Sequence, residues 1–309
     1  MNEHDILPAL VELQQLSGSP TMAYIVDKIE VTDVGIVYEC LRALGRVESL
    51  NLILYAGGGN VDAARHIALL LHEYCEELRI LVPDHAQSAG TLLCLGAHEL
   101  VLGTMARLGP IDPYITASDS HAPGGPNRIS AEDVRALTEM ARTWFGLDGQ
   151  AAGRHALEMM SQRIFPTTLS SFFRAHRNIR NVGRELIAYH RSDLSADERG
   201  RLVDHLVDGY DSHTHVITPA EAQKLGLNVV VPSLREEQLM WRCLHSLHRW
   251  LKGDLDEDGQ VMKIIANSQG FCAELTLVGV SLNSLEGRMP KRVWGIEERS
   301  AATISGAEE

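Results

Sequence analysis

The sequence predicts an α/β protein, because short apolar strands alternate with amphipathic helices through the first third of the chain. One unit runs from the apolar strand Leu52-Ile-Leu-Tyr-Ala56 through the turn Gly57-Gly58-Gly59 into a helical pattern from Asn60 to Tyr74. A second runs from Leu78-Arg-Ile-Leu-Val-Pro83 through the polar turn Asp84-His85-Ala86-Gln87 and Ser88-Ala89-Gly90 into the small-residue segment Thr91 to Ala97. Glu99-Leu-Val-Leu102 then supplies another strand of the same type. A chain of 309 residues with 45% hydrophobic content can bury one large core, with additions around it.

The elements follow in order. Ile6 to Leu16 has helical spacing and stops at Ser17-Gly18-Ser19-Pro20. Met22 to Val26 reads as a strand, and Thr32 to Leu44 as a helix closed by Gly45. In the helix from Asn60, Ile67, Leu70 and Leu71 form the apolar stripe, with Arg65, His66, His72 and Glu73 outward. Ile115 to Asn127 is rich in Ser, Pro and Gly and reads as a loop. Helices are expected over Ser130–Phe145, Gly149–Arg163, Leu169–His190 and Ser195–Val207, two of them starting at capping serines. Thr218 to Leu225 is a short helix with Pro219 at its first position and Gly226 at its end. Asn228–Val231 is a strand, and Leu234–Leu251 a helix. Val261–Ile265 and Phe271–Val280 form a hairpin around Asn267-Ser-Gln-Gly270. The implied organisation is an N-terminal helix (1–21), a core (22–232) with a helical insertion at about 130–208, a linking helix (233–253), a small β appendage (254–298) and a disordered tail (299–309).

Composition excludes several functions. A net charge of −13 argues against nucleic-acid binding and against docking on anionic membranes. The five cysteines are widely spaced, with no CxxC pair for zinc, which fits a reducing cytoplasm. No stretch is long and apolar enough to span a bilayer, and the acidic start lacks a signal-peptide pattern. Asp254-Leu-Asp-Glu-Asp-Gly259 imitates an EF-hand, but Ile265 stands where a bidentate Glu is required. The triple glycine is not followed by the Lys-Ser or Lys-Thr of a phosphate-binding loop. No metal or other cofactor is implied.

Ser88 is the residue with a chemical reading. A serine at a strand-to-helix turn meets unpaired backbone N–H groups and the positive end of the helix dipole, which favour a developing negative charge. Such a place suits a nucleophile beside an oxyanion site. The structural alternative is a simple N-cap. Two consecutive turns of small residues can bring two sets of N–H groups to one point, one from the glycine turn and one from Ala89.

At this point a family resemblance becomes specific. The chain resembles the serine dehydrogenase proteinases, relatives of ClpP and of the signal peptide peptidases within the Clp/crotonase fold. The carrying residues are Leu54-Tyr-Ala-Gly-Gly-Gly59 with Ala63-Ala64, Val82-Pro83, Ala86-Gln-Ser-Ala-Gly-Thr91, Leu108-Gly-Pro-Ile-Asp-Pro113 and His213-Thr-His-Val-Ile-Thr218, then Glu221-Ala222 and Leu225-Gly226-Leu227. They cover most of Met22 to Pro232. The resemblance implies a ClpP/crotonase-like spiral of βα units, a helical handle that mediates oligomer contacts, and serine peptidase activity. It also implies Ser88 as nucleophile and the N–H groups of Gly59 and Ala89 as the oxyanion hole. Where the family pattern has proline this chain has Gly57, a change expected to loosen the turn without removing a donor.

For the base, the two ClpP-type positions have exchanged residue types: Asp112 stands in the first region, and His213 and His215 in the second. The implied triad is therefore Ser88, His213 and Asp112, since a triad is defined by geometry rather than chain order. His215 and His85 are backup bases. The family has an acidic residue where this chain has Thr214. A Ser–Lys dyad is disfavoured, because none of the five lysines lies where the resemblance would put one, and Arg128 stays protonated. The expected protein is a cytoplasmic, homo-oligomeric endopeptidase acting on polypeptides, with a possible protein partner at the C-terminal appendage. The rival readings are a catalytically silent scaffold of the same fold and an acyl-CoA enzyme of the crotonase type.

Overall fold

Apolar residues on both faces of successive strands require a layer of helices on each side, and the computed structural model shows that arrangement. It describes residues 6–111, 114–116, 128–162, 165–251, 260–278 and 291–299. The first elements are α1 (Leu7–Ser17), β1 (Thr21–Val26), α2 (Asp33–Leu44), β2 (Val47–Ala56), α3 (Val61–Tyr74), β3 (Cys75–Val82) and β4 (His85–Ala86). Next come α4 (Ala89–Cys94), β5 (Glu99–Leu102), β6 (Arg107–Leu108), and the paired strands β7 (Tyr114–Thr116) and β8 (Arg128–Ser130). The helices α5 (Ala131–Thr143), α6 (Gly149–Ser161), α7 (Pro166–His190) and α8 (Ala196–Asp208) follow. The chain continues through α9 (Pro219–Lys224), β9 (Val229–Val230), α10 (Leu234–Leu251), β10 (Gln260–Asn267), β11 (Phe271–Val278) and β12 (Lys291–Glu298).

One sheet organises the molecule, in the order β12-β11-β10-β1-β2-β3-β5-β9. From β1 to β9 the strands are parallel, as crossover helices demand. Period-two alternation divides their side chains. Met22, Tyr24 and Val26 face a core shared with α2, α3, α4, α7 and α8. Ala23 and Ile25 face a second core roofed by α1 and α10. The N-terminal and linking helices thus form one covering layer, tied by Glu12 to Arg235 and to Arg242.

Local signals set the helix ends. Asn60 accepts from the Ala63 N–H, Ser195 and Glu198 complete a capping box, and Thr218 accepts from the Glu221 N–H. Two expectations need adjustment. Ile115 and Thr116, expected in a loop, pair with Ile129 and Arg128 as strand residues. His72, expected to face outward, stacks on Tyr189 at 3.8 Å between ring centroids and bonds the Gly96 carbonyl.

The hairpin foreseen near the C-terminus forms, but its strands continue the central sheet. β10 lies antiparallel to β1, pairing Met22 with Asn267 and Val26 with Lys263. β12, which the hairpin signal did not reveal, adds the edge beyond β11. Buried polar groups fix this joint. Lys263 Nζ donates to both oxygens of Asp33 at 2.6 and 2.8 Å, the Tyr24 hydroxyl donates to Asp33 at 2.8 Å, and Asn267 donates to the Cys40 carbonyl. Burial, with Asp33 beside it, drives the Tyr24 phenol far above its ordinary pKa. The acidic turn at Asp254–Gly259 and the tail beyond Arg299 lie outside the described residues.

Candidate functional site

The site is built from the ends of β2 and β4 and the starts of α3 and α4. Ala86 of β4 pairs with Ala56 of β2 on one side and Leu108 of β6 on the other. Leu108 in turn exchanges backbone hydrogen bonds of 2.9 and 3.0 Å with Ile217. The segments carrying the glycine turn, Ser88, Gly109 and the histidine pair are therefore held side by side at one end of the sheet.

Ser88 is the only non-glycine residue with positive φ among the described residues, at φ 52° and ψ −112°. Its side chain makes no capping bond to α4. A helix cap has an extended backbone and an occupied hydroxyl, so the simple cap reading does not describe it. Holding a β-carbon residue in this region costs on the order of 1–3 kcal/mol and needs surrounding structure to impose it. Thr91, wholly buried, is part of that structure. Its hydroxyl lies 2.7 Å from the Ala86 carbonyl and 2.8 Å from the Gly109 carbonyl, and accepts from the Gly109 N–H. It clasps the end of β4 to the end of β6 immediately behind Ser88.

Close approach explains all three glycines. A Cβ on Gly58 would stand 3.3 Å from Ser88 Cβ, and one on Gly59 would stand 2.3 Å from the Ile29 carbonyl oxygen. Both have φ beyond +120°, at 122° and 137°, which also favours glycine. At Gly57 the N–H donates to the Asp27 carbonyl at 2.9 Å, and a Cβ would lie 2.8 Å from that oxygen. Glycine there pins the turn to the end of β1 instead of loosening it, and a proline could not make this bond. The bonds around both turns use the N–H groups of Gly57, Asn60, Gln87 and Gly90. Those of Gly59 and Ala89 have no bonded partner among the described residues.

Ser88 and Gly59 line one cleft of about 850 Å³. Its other walls come from Ile29 and Lys28 after β1, Asn178 and Ile179 of α7, and Leu275, Arg292 and Trp294 of β11 and β12. The candidate bases lie elsewhere in the local framework, and no histidine is among the described residues lining this cleft. His85 is 2.9 Å from the Asp84 carboxylate and packs its ring 4.2 Å from Tyr55. Burial raises the Asp84 carboxyl, but His85 and Arg107 together hold it below the ordinary range. His215 is 3.1 Å from Glu221 and stacks on Tyr210, whose hydroxyl donates to the same carboxylate. His213 occupies the turn just before. Asp112 lies outside the described residues. No group of three or more His, Cys, Asp or Glu suited to a metal ion occurs among the described residues.

Residues 15–123 match the model described as ClpP-like SDH-type serine proteinase. That stretch is similar to an SDH-type serine proteinase segment. That segment contains the glycine turn, Ser88, Ala89 and Thr91, and at the level of the family it supports a serine peptidase.

Beyond this segment the relatives are distant. The uncharacterized protein MJ0137 of Methanocaldococcus jannaschii is 26% identical over 201 residues, which is 65% of this chain and 60% of that protein. MJ1495 of the same organism is 30% identical over 122 residues, 35% of this chain and 42% of that one. The chain thus matches about three fifths of the length of the first relative and two fifths of the second. Among solved structures, an alanine mutant of the membrane-bound stomatin-specific protease 1510-N is 17% identical with TM-score 0.41, covering 69% of this chain and 80% of its own. ClpP1 of Listeria monocytogenes is 14% identical with TM-score 0.39, covering 72% and 95%. Thr91 closes the motif Ala86-Gln-Ser-Ala-Gly-Thr91, and nothing local in the sequence marks its role. Its clasp joins segments 18 residues apart, so only the fold reveals it. Trp294 and Arg292 lie outside the segment and carried no local signal beyond one tryptophan in a polar run.

Proposed function

We propose that the protein is a serine endopeptidase of the SDH type, with Ser88 as its nucleophile. The observation that carries this reading is the strained, uncapped Ser88 lining one cleft with Gly59. Ser88 Oγ attacks the peptide carbonyl carbon as its proton passes to a base. The carbonyl oxygen becomes an oxyanion facing the N–H groups of Gly59 and Ala89. The C–N bond then breaks as the base returns the proton to the leaving amine, and water releases the acyl group by the same route.

The base we assign is His213, oriented by Asp112. This follows the exchanged residue types at the two ClpP-type positions, Asp112 in the first region and His213 in the second. His215 and His85 remain the backups. Their present partners, Glu221 and Asp84, are carboxylates that would stabilise an imidazolium. The working form we propose is a cytoplasmic homo-oligomer. Trp144, Phe145, Phe165 and Phe173 of the handle are each at least 63% exposed, an apolar surface suited to a second copy. Among the described residues no helix is long and apolar enough to cross a membrane.

One observation favours the silent-scaffold reading, namely the lack of a histidine among the described residues of the cleft. Fluorophosphonate labelling of wild type, Ser88→Ala and His213→Ala, read by intact mass, separates the two. Labelling that requires both residues supports the peptidase and its base. Labelling that survives His213→Ala moves the base to His215 or His85. A wild type that never labels, and never cleaves an unfolded polypeptide, removes the peptidase reading.

A further inference from the structure

The C-terminal strands reach the candidate catalytic cleft. β12 is the edge of the central sheet, far from the proteinase segment in sequence, yet Arg292 and Trp294 line the same cleft as Ser88. Leu275 of β11 is the direct cross-strand partner of Trp294 and lines it too.

Trp294 is the one residue of β12 that is not exposed; the other seven all are. An edge strand that buries so little is not there to complete the core. Its tryptophan packs partly against the main core and otherwise presents its ring to the cleft with Leu275. Arg292, two residues earlier and so on the same strand face, is held by Glu30 at 3.2 Å. Glu30 is also bound to Lys263 at 2.8 Å. Burial raises the Glu30 carboxyl, but the bonds to Lys263 and Arg292 outweigh it and keep the group ionised. Pairing with β11 sets the register of β12, and the Arg292 contact ties the strand to the loop after β1 two residues from Trp294.

We infer that Trp294 and Leu275 form a side-chain subsite for a bulky apolar residue of an extended peptide bound across Ser88, with Arg292 and Glu30 as the positioning pair. This rests on the peptidase reading for its substrate class, but it concerns binding and can be tested without turnover. A partly buried indole and a leucine offer a large apolar surface with little conformational freedom to lose. The cleft is large enough for several side chains.

The test uses full-length Ser88→Ala protein and fluorescently labelled peptides that differ at one position, Phe or Leu against Ala or Asp. The Phe and Leu peptides should bind roughly tenfold tighter than the Ala peptide, and Trp294→Ala in that background should erase most of the difference. Trp294→Phe should retain it. Equal binding of all four peptides, or a preference unchanged by Trp294→Ala, overturns the inference. Should Trp294→Ala not fold, hydrogen exchange decides in the parent protein. The Leu peptide should slow exchange of the 291–298 amides, and bound peptide without that protection overturns the subsite. Wild type that binds with this preference but does not cleave leaves the subsite standing and removes the peptidase reading. Cleavage with a preference indifferent to Trp294 does the reverse.

Discussion

Replacing Lys263 by methionine tests whether the C-terminal strands belong to the core. Lys263 is 4% exposed and Asp33 is fully buried, and the ammonium lies within 2.8 Å of both Asp33 oxygens and of Glu30. Removing the cation leaves Asp33 with the Tyr24 hydroxyl and the Glu30 N–H as donors but without a counter-charge. Breaking a buried pair from one side costs about 3–5 kcal/mol, whereas an exposed pair is worth about 1 kcal/mol or less. A domain of this kind has roughly 5–15 kcal/mol in all, so the variant should sit near the edge of folding. The Asp33→Asn/Lys263→Met double variant, lacking both charges, should be more stable than the sum of the single effects, by about 1–3 kcal/mol. Urea unfolding at neutral pH, followed by circular dichroism, measures all four proteins. A Lys263→Met cost under about 1 kcal/mol, or strict additivity in the double variant, would refute the reasoning. Either would mean that β10 does not seat its lysine against α2 as described.

Three further predictions address the site and its support. Gly58→Ala should keep the fold but lose most fluorophosphonate labelling, since its methyl meets Ser88 Cβ at 3.3 Å and its φ of 122° is unsuited to alanine; full labelling in a folded variant would contradict this. Thr91→Val should cost about 1–3 kcal/mol, because it strands buried groups on Ala86 and Gly109. Thr91→Ser should recover most of that loss in urea unfolding. His190 is buried, donates Nδ1–H to the Ala97 carbonyl and accepts the Asn228 N–H on Nε2, so it is held neutral; burial is the main reason its pKa falls to about 4. As pH drops, the unfolded chain takes up this proton first. Stability should be full above the ordinary value of 6.5 and decline until about pH 4, by on the order of 3 kcal/mol from this group. Unfolding curves of wild type and His190→Asn across that window should show a shallower slope in the variant.

The strands and helices of the first hundred residues were legible because their signals are local. Apolar runs mark β2, which ends at the glycine turn, and β3, which ends at Pro83, and Asn60 and Ser195 start helices by bonding N–H groups only three residues away. Ser88 stood out for the same reason: a serine at a strand-to-helix turn is visible in the chain, and the ordered motifs around it named the family that the match over residues 15–123 supports. The hairpin of β10 and β11 was equally local, since its turn lies between its strands.

What the tertiary structure alone decided are the relations between distant segments. Whether Ser88 is a cap or a strained, uncapped residue depends on its backbone angles, which Thr91, Ala86 and Gly109 impose from three positions in the chain. Whether the last strands form an appendage or the sheet edge depends on β1 offering β10 an open side, and on Asp33 needing the charge of Lys263, 230 residues away. The presence of Trp294 in the same cleft as Ser88 follows from that pairing and from nothing near either residue. Sequence pattern records what each segment prefers along its own axis, at periods of two or 3.6 residues. It does not record which edges meet, because that choice is made by the burial of surfaces and charges that separate segments contribute.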